Sequence, residues 1–153
     1  MTGTLAGIFA SPTGGISKPA LSRARVRAGY GVEGDASARH RRTPDRALCL
    51  CDERLYAELA REGVSLKEGD LAENFLLRGV DFDGIRPGDV FRVGADVEIE
   101  ISMVRTPCKT LTALDPRLPA CIVGRSGFLA YARKGGAVQV GDAVERIVRA
   151  ERR

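Results

Sequence analysis

A mainly β fold follows from two features of the sequence: short runs in which apolar and polar residues alternate, and glycine-aspartate pairs that recur between those runs. The cleanest run is Asp96-Val97-Glu98-Ile99-Glu100-Ile101-Ser102-Met103, with Val97, Ile99, Ile101 and Met103 on one face and the acidic residues on the other. Over residues 21–28, Ala24, Val26 and Ala28 share a face opposite Arg23, Arg25 and Arg27. Each pattern predicts a half-buried strand. Residues 5–10, 46–51, 89–93 and 143–148 are further predicted strands. Gly-Asp stands at Gly34-Asp35, Gly69-Asp70, Gly88-Asp89 and Gly141-Asp142. Glycine supplies positive φ and aspartate bonds nearby backbone amides, so these pairs read as turns leading into strands. Many short strands joined this way predict a barrel or sandwich.

One helix is marked within the β pattern. Asp52 caps it, Glu53 adds negative charge to its first turn, Leu55 and Leu59 lie four apart, and Gly63 ends it. At 153 residues, with no low-complexity linker, the chain is expected to form a single domain spanning 1–153. Apolar residues at 44% and charged residues at 29% fit a globular protein and exclude wholesale disorder. No apolar run is long enough to span a bilayer, and residues 1–12 lack a basic leader, so a cytoplasmic location without membrane association is expected.

Net charge is +4 and the pI about 9.1, which favours an anionic partner, although Arg146, Arg149, Arg152 and Arg153 place part of that charge in a solvated tail. Aromatic residues make up 5% and tryptophan is absent, so the stacking platforms of single-stranded nucleic acid binders are missing and no nucleic acid partner is expected. The four cysteines read as reduced thiols. Cys49 and Cys51 alternate with Leu48 and Leu50 and predict one packed strand face, while Cys121 lies in the core-like run Ala120-Cys121-Ile122-Val123. No paired Cys-x-x-Cys clamp is present, which sets a zinc site aside.

Cys108 has a different setting. It follows Pro107 at the end of a predicted strand, with Arg105 before it and Lys109 after it. Those cations favour a thiolate, the form that attacks or binds metal; the alternative is a small buried apolar residue. His40, the single histidine, lies among Arg39, Arg41 and Arg42, where it serves as acid or base beside an anion, or sits in a solvated basic loop. Asp70, Glu73 and Asn74 form a polar set read as mixed in role, Asp70 holding a turn and Asn74 and Glu73 facing a ligand. Arg125, flanked by Gly124 and Ser126-Gly127, is a further anion candidate.

Taken in order, Gly31-Val32-Glu33-Gly34-Asp35, His40, Asp45-Arg46-Ala47, Gly69-Asp70-Leu71-Ala72-Glu73-Asn74-Phe75, Pro107-Cys108, Gly124-Arg125-Ser126-Gly127 and Val140-Gly141-Asp142-Ala143-Val144 resemble the MOSC family, named for the C-terminal part of molybdenum cofactor sulfurases. The resemblance spans nearly the whole chain and is that of a small stand-alone bacterial-type member. It implies a MOSC-type β-barrel with a few short α-helices and a sulfur-handling function. In that function Cys108 acts as persulfide or thiolate in sulfur transfer or carbon-sulfur chemistry on an anionic pterin-type or other small ligand. Cys108 and His40 are the implied catalytic residues, and Arg46, Asn74, Glu73, Lys109 and Arg125 the ligand-binding ones. No metal ligand is implied, unless the molybdenum cofactor binds, when Cys108 becomes one. The alternatives are a molybdenum-cofactor-binding redox component acting on N-hydroxylated substrates with a partner reductase, and a non-catalytic cofactor carrier. A sulfur donor protein or redox partner in trans is implied by the first two. The sequence departs from the family pattern where Ala72 replaces the glycine of its Gly-Glu-Asn motif and where His40 stands without further histidines.

Overall fold

In a computed structural model of the chain, which describes residues 2–14, 17–36, 44–107 and 109–151, seven strands close into a barrel. The strands are β1 (Thr2–Phe9), β5 (Leu48–Asp52), β6 (Phe75–Arg78), β7 (Val90–Val93), β8 (Val97–Val104), β9 (Phe128–Lys134) and β11 (Ala143–Val148). Around the barrel the order is β11-β7-β8-β9-β5-β6-β1, and β1 closes it by pairing Thr2, Gly3 and Thr4 with Glu145, Val144 and Ala143. Every pairing is antiparallel except β5–β6. A parallel pair needs a crossover, and helix α1 (Arg54–Arg61) lies in it. Strand β2 (Ala20–Leu21) extends β1, and β10 (Gly136–Gln139), β3 (Arg23–Arg27) and β4 (Gly31–Val32) form a small second sheet. Helix α2 (Leu118–Cys121) is a single turn, and among the described residues no helix is long and apolar enough to cross a membrane.

The predicted alternation is realised in β8, where Val97, Ile99 and Ile101 are buried in the barrel. Met103 is only half-buried, because a register shift between Ile101 and Met103 turns the end of the strand. β3 is shorter than predicted: Val26 is its one fully buried residue, and residues 20–21 form a separate strand. β6, β9 and β10 have no clear alternation in sequence, since β6 is buried on both faces over Phe75, Leu76 and Leu77.

Three of the four Gly-Asp pairs use one device. The carboxylates of Asp70, Asp89 and Asp142 each accept the backbone N–H three residues earlier, at Lys67, Arg86 and Gln139. The glycine before each takes positive φ; at Gly69 (φ 93°) a Cβ would also lie 2.5 Å from the Lys18 carbonyl oxygen. Just before α1, Asp52 accepts the Arg54 N–H at 3.0 Å, but the N-cap position falls to Glu53, which makes no side-chain cap bond and turns its carboxylate away to Arg78.

Two apolar clusters result. One fills the barrel, with Leu5, Ile8, Leu48, Leu50, Phe75 and Ile101 among its members. The other lies between the barrel wall and α1, where Leu55, Tyr56 and Leu59 pack on Cys49, Cys51 and Leu76. Strand β5 is therefore buried on both faces, its leucines inward and its cysteines outward.

Candidate functional site

The outward face of β5 carries more than packing. Asn74, just before β6, uses its whole amide there: Nδ2 donates to the Phe9 carbonyl and to Asp35 Oδ2, both at 3.1 Å, and Oδ1 accepts the Cys49 N–H at 3.0 Å. Asp35, fully buried, also accepts the Ser11 N–H at 2.9 Å and pairs with the buried ammonium of Lys18 at 3.0 Å. The network pins the loops after β1 and β4 to the barrel wall. A buried ion pair holds only when further hydrogen bonds satisfy both partners, and Asn74 and Ser11 supply them to the carboxylate.

Glu73 is fully buried beside it. Its Oε2 accepts from the Tyr56 hydroxyl at 2.6 Å and the Gly69 N–H at 3.2 Å, while Oε1 has no partner among the described residues. Burial pushes the carboxyl group above its ordinary range, and burial together with Glu73 does the same to the Tyr56 phenol. Ala72, at the position where the family resemblance expects glycine, has φ 62° and so carries the strain that glycine would avoid.

Arg105 closes the site from the end of β8. Its guanidinium donates to the Leu71 carbonyl and lies 3.8 Å from Cys51 Sγ. Burial works against its charge, but the two β5 thiols and Glu73 outweigh that and raise its pKa. Beside it, the neighbouring Cys51 thiol holds Cys49 down to about 7 against the cost of burial, with Arg105 and Lys18 assisting; Cys51 is pushed up.

The loop over residues 124–127 clamps this arrangement. Ser126 Oγ donates to the Arg105 carbonyl at 2.9 Å, its own carbonyl accepts from Cys51 Sγ at 3.4 Å, and the Gly127 carbonyl accepts the Arg105 N–H at 3.0 Å. A side chain at Gly127 would run into Leu50 O, 1.9 Å from an added Cβ, so glycine is required where the loop crosses β5.

The sequence-predicted residues divide accordingly. Glu73 and Asn74 come together around β5, in company the sequence reading missed: Lys18, Asp35 and Tyr56. Arg105, read from sequence as a neighbour of Cys108, proves to be a neighbour of Cys51; the hint in the sequence was a lone charge in Ile101-Ser102-Met103-Val104-Arg105. Arg46 lies exposed in a 3-10 turn, Pro44–Arg46, and Lys109 is exposed at the start of another, Lys109–Ala113; neither enters an ion pair among the described residues. Arg125 is turned toward α1, bonded to Glu62 at 2.6 Å and near Glu58 at 3.6 Å. It lines a cleft of about 520 Å³ with Arg54, Phe82, Arg86, Val104 and Phe128. Cys121 is half-buried, in contact with Arg125 and Glu62, and Val123 beside it is exposed. Cys108 and His40 lie outside the described residues. No cluster of three or more histidine, cysteine or acidic side chains that could hold a metal ion occurs among the described residues.

The family model of the MOSC domain matches residues 37–145. Among solved structures, YiiM from Geobacillus stearothermophilus is similar with 23% identity and a TM-score of 0.77, over 96% of this chain and 76% of that one. YiiM from Escherichia coli gives 23% and 0.77, over 99% and 72%. The YuaD protein of Bacillus subtilis gives 17% and 0.78, over 95% of each chain. No curated protein matches the chain.

Proposed function

Because the chain belongs to the MOSC domain family, a family associated with molybdenum-cofactor-related sulfur chemistry, we propose that it handles sulfur at Cys108 on a small anionic ligand of pterin or related type. The observation that supports this reading is the setting of Cys108 in the chain. It follows Pro107 and directly precedes Lys109, whose ammonium is exposed and enters no ion pair among the described residues. A cation beside a thiol lowers its pKa and favours its reactive form.

In the proposed step the Cys108 thiolate attacks the outer sulfur of a persulfide donor. The donor's S–S bond breaks, its thiolate leaves, and Cys108 carries the persulfide. A nucleophilic acceptor then takes that sulfur and restores the Cys108 thiolate, with His40 moving the proton the acceptor gives up. Arg46 and Lys109, cations without carboxylate partners among the described residues, take the ligand's anionic end. Glu73 and Asn74 hold the wall behind it.

The same donor set suits the molybdenum cofactor: the two exposed cations match its phosphate and a thiolate at Cys108 is a soft ligand. Cys108, Arg46 and Lys109 would hold that group, which when bound supplies two-electron redox chemistry drawing on a reductase in trans.

Intact-mass measurement after incubation with a low-molecular-weight persulfide donor tests the proposal. One added sulfur that disappears in Cys108→Ser is the expected result. Absence of any Cys108-dependent addition overturns it.

A further inference from the structure

The outer barrel wall balances its charges across strands, and the small second sheet does not. On the wall, Arg92 of β7 stands directly opposite Glu145 of β11 with their charged groups 3.2 Å apart, and Lys134 of β9 stands opposite Glu98 of β8 at 3.8 Å. On β3, Arg23, Arg25 and Arg27 occupy three successive outward positions, all exposed. Their neighbours across the strand pairs are Gln139 and Ala137 on β10 and Gly31 on β4, none of them acidic. Arg27 is partly held, 3.9 Å from Glu33 and 4.7 Å over the Tyr30 ring. Arg23 and Arg25 enter no ion pair among the described residues, which include every aspartate and glutamate of the chain. Opposite charges across strands stabilise a sheet, and β3 forgoes that gain at both positions.

An apolar patch adjoins the row at its Arg23 end. The Val140 N–H donates to the Ser22 carbonyl at 3.0 Å, and Val140 and Leu21, both exposed, line a groove of about 500 Å³ with Ala6, Ala20, Lys67 and Glu68. A nucleic acid backbone is held by charge and has no use for such a groove, and two side chains offer too little apolar area to hold a membrane. A protein surface uses both parts. The row is arginine throughout, and arginine is enriched and lysine depleted at protein interfaces, because the planar guanidinium is weakly hydrated and grips carboxylates with two parallel bonds. Successive arginines of the row are about 6.7 Å apart, the rise of two strand residues, and carboxylates on alternate residues of an extended segment repeat at the same distance. A second copy of this chain is a poor source of that segment, since on the acidic face of β8 Glu98 and Glu100 already pair with Lys134 and Arg133.

We propose that the outward face of β3, with the groove at Leu21 and Val140 beside it, docks an extended acidic segment of a partner protein. Carboxylates on alternate residues of that segment meet Arg23 and Arg25, and an apolar side chain enters the groove. Arg27, already shared with Glu33 and Tyr30, contributes less. The contact is ionic and exposed at the arginines, so it weakens as salt rises, while the groove selects segments with an apolar end. The proposal is independent of the chemistry assigned to Cys108.

The test is fluorescence anisotropy of a labelled synthetic peptide, with glutamate at every second position and leucine at each end, titrated with the purified full chain at low salt. Saturable binding is expected, weakened about tenfold or more in the double variant Arg23→Gln/Arg25→Gln, weakened to a smaller extent in Leu21→Ser, and unchanged in Arg92→Gln on the balanced wall. The same peptide with glutamine for glutamate should not bind. No binding of the glutamate peptide overturns the proposal, and so does binding that survives the double variant or falls equally in Arg92→Gln. Should the double variant fail to fold, Arg23→Gln and Arg25→Gln are read singly against the same control. A DNA duplex and phosphatidylglycerol vesicles are titrated in parallel, and the protein alone is sedimented. Tighter arginine-dependent binding to either, or arginine-dependent self-association, would assign the face to another occupant and overturn the proposal. Persulfide loading of Cys108 is read separately, so either proposal can fail without the other.

Discussion

Ala72 shows how one side chain records a compromise. Its φ of 62° lies in the left-handed region, where an L-residue is strained and glycine is not. Ala72→Gly is therefore expected to stabilise the protein by about 1 kcal/mol, seen as a higher urea midpoint; an unchanged or lower midpoint would mean that neighbouring packing repays the strain. Asp35 lies at the opposite extreme. Asp35→Ala removes the carboxylate that neutralises the buried Lys18 ammonium and is expected to cost about 3–5 kcal/mol in chemical denaturation. At Cys49 the effect depends on pH. Its thiol titrates near 7 in the fold against 9.0 ordinarily, so ionisation favours the folded state, fully above about 9 and no longer once the pH falls through 7. The stability gap between wild type and Cys49→Ser should accordingly widen from pH 6.5 to pH 9 by on the order of 1 kcal/mol, and a gap that narrows would place the charge elsewhere.

At the scale of elements, strands with one wet face were legible and strands buried on both faces were not. β8 follows the predicted alternation from Val97 to Ile101, because it has one face in the barrel and one toward solvent. β6 gives an apolar run without period, and β5 hid its role because its second face, read as ordinary packing, carries the thiols next to Arg105 and near Glu73. Neither Lys18 nor Tyr56 could be read as part of the site, since their partners lie 17 residues away, at Asp35 and at Glu73. The 124–127 loop was read from its glycines as an anion cradle; the structure turns Arg125 to Glu62 and uses the glycine and serine as a clamp on β5 and Arg105. Gly127→Ala should accordingly break the clamp, because the new Cβ meets backbone rather than a movable side chain. A loss of several kcal/mol or of soluble protein is expected, measured by thermal melting, while an unaffected Tm would show that the loop has room to move.

The whole molecule depends on barrel closure, which the sequence suggested only as a class. Three residue pairs between β1 and β11 make the seam, and Leu5 N–H adds a bond to the Asp142 carbonyl. Closure leaves no free edge among the seven barrel strands and holds β5 and β8 at a fixed spacing, so that Cys51 and Arg105 meet across the wall. A chain lacking residues 1–4 should lose hydrogen-exchange protection first in β1 and β11, with β8 and β9 protected longest; uniform loss would show that the seam is no weaker than the rest. Three residues along the chain from Arg105 stands Cys108, to which the proposed chemistry is assigned. Its most direct test is site-resolved tandem mass spectrometry of all four cysteines after brief exposure to a persulfide donor near neutral pH. Sulfane sulfur found first on Cys108, with Cys121 unmodified, is the expected result; a Cys108 that stays a plain thiol while other cysteines load would contradict it.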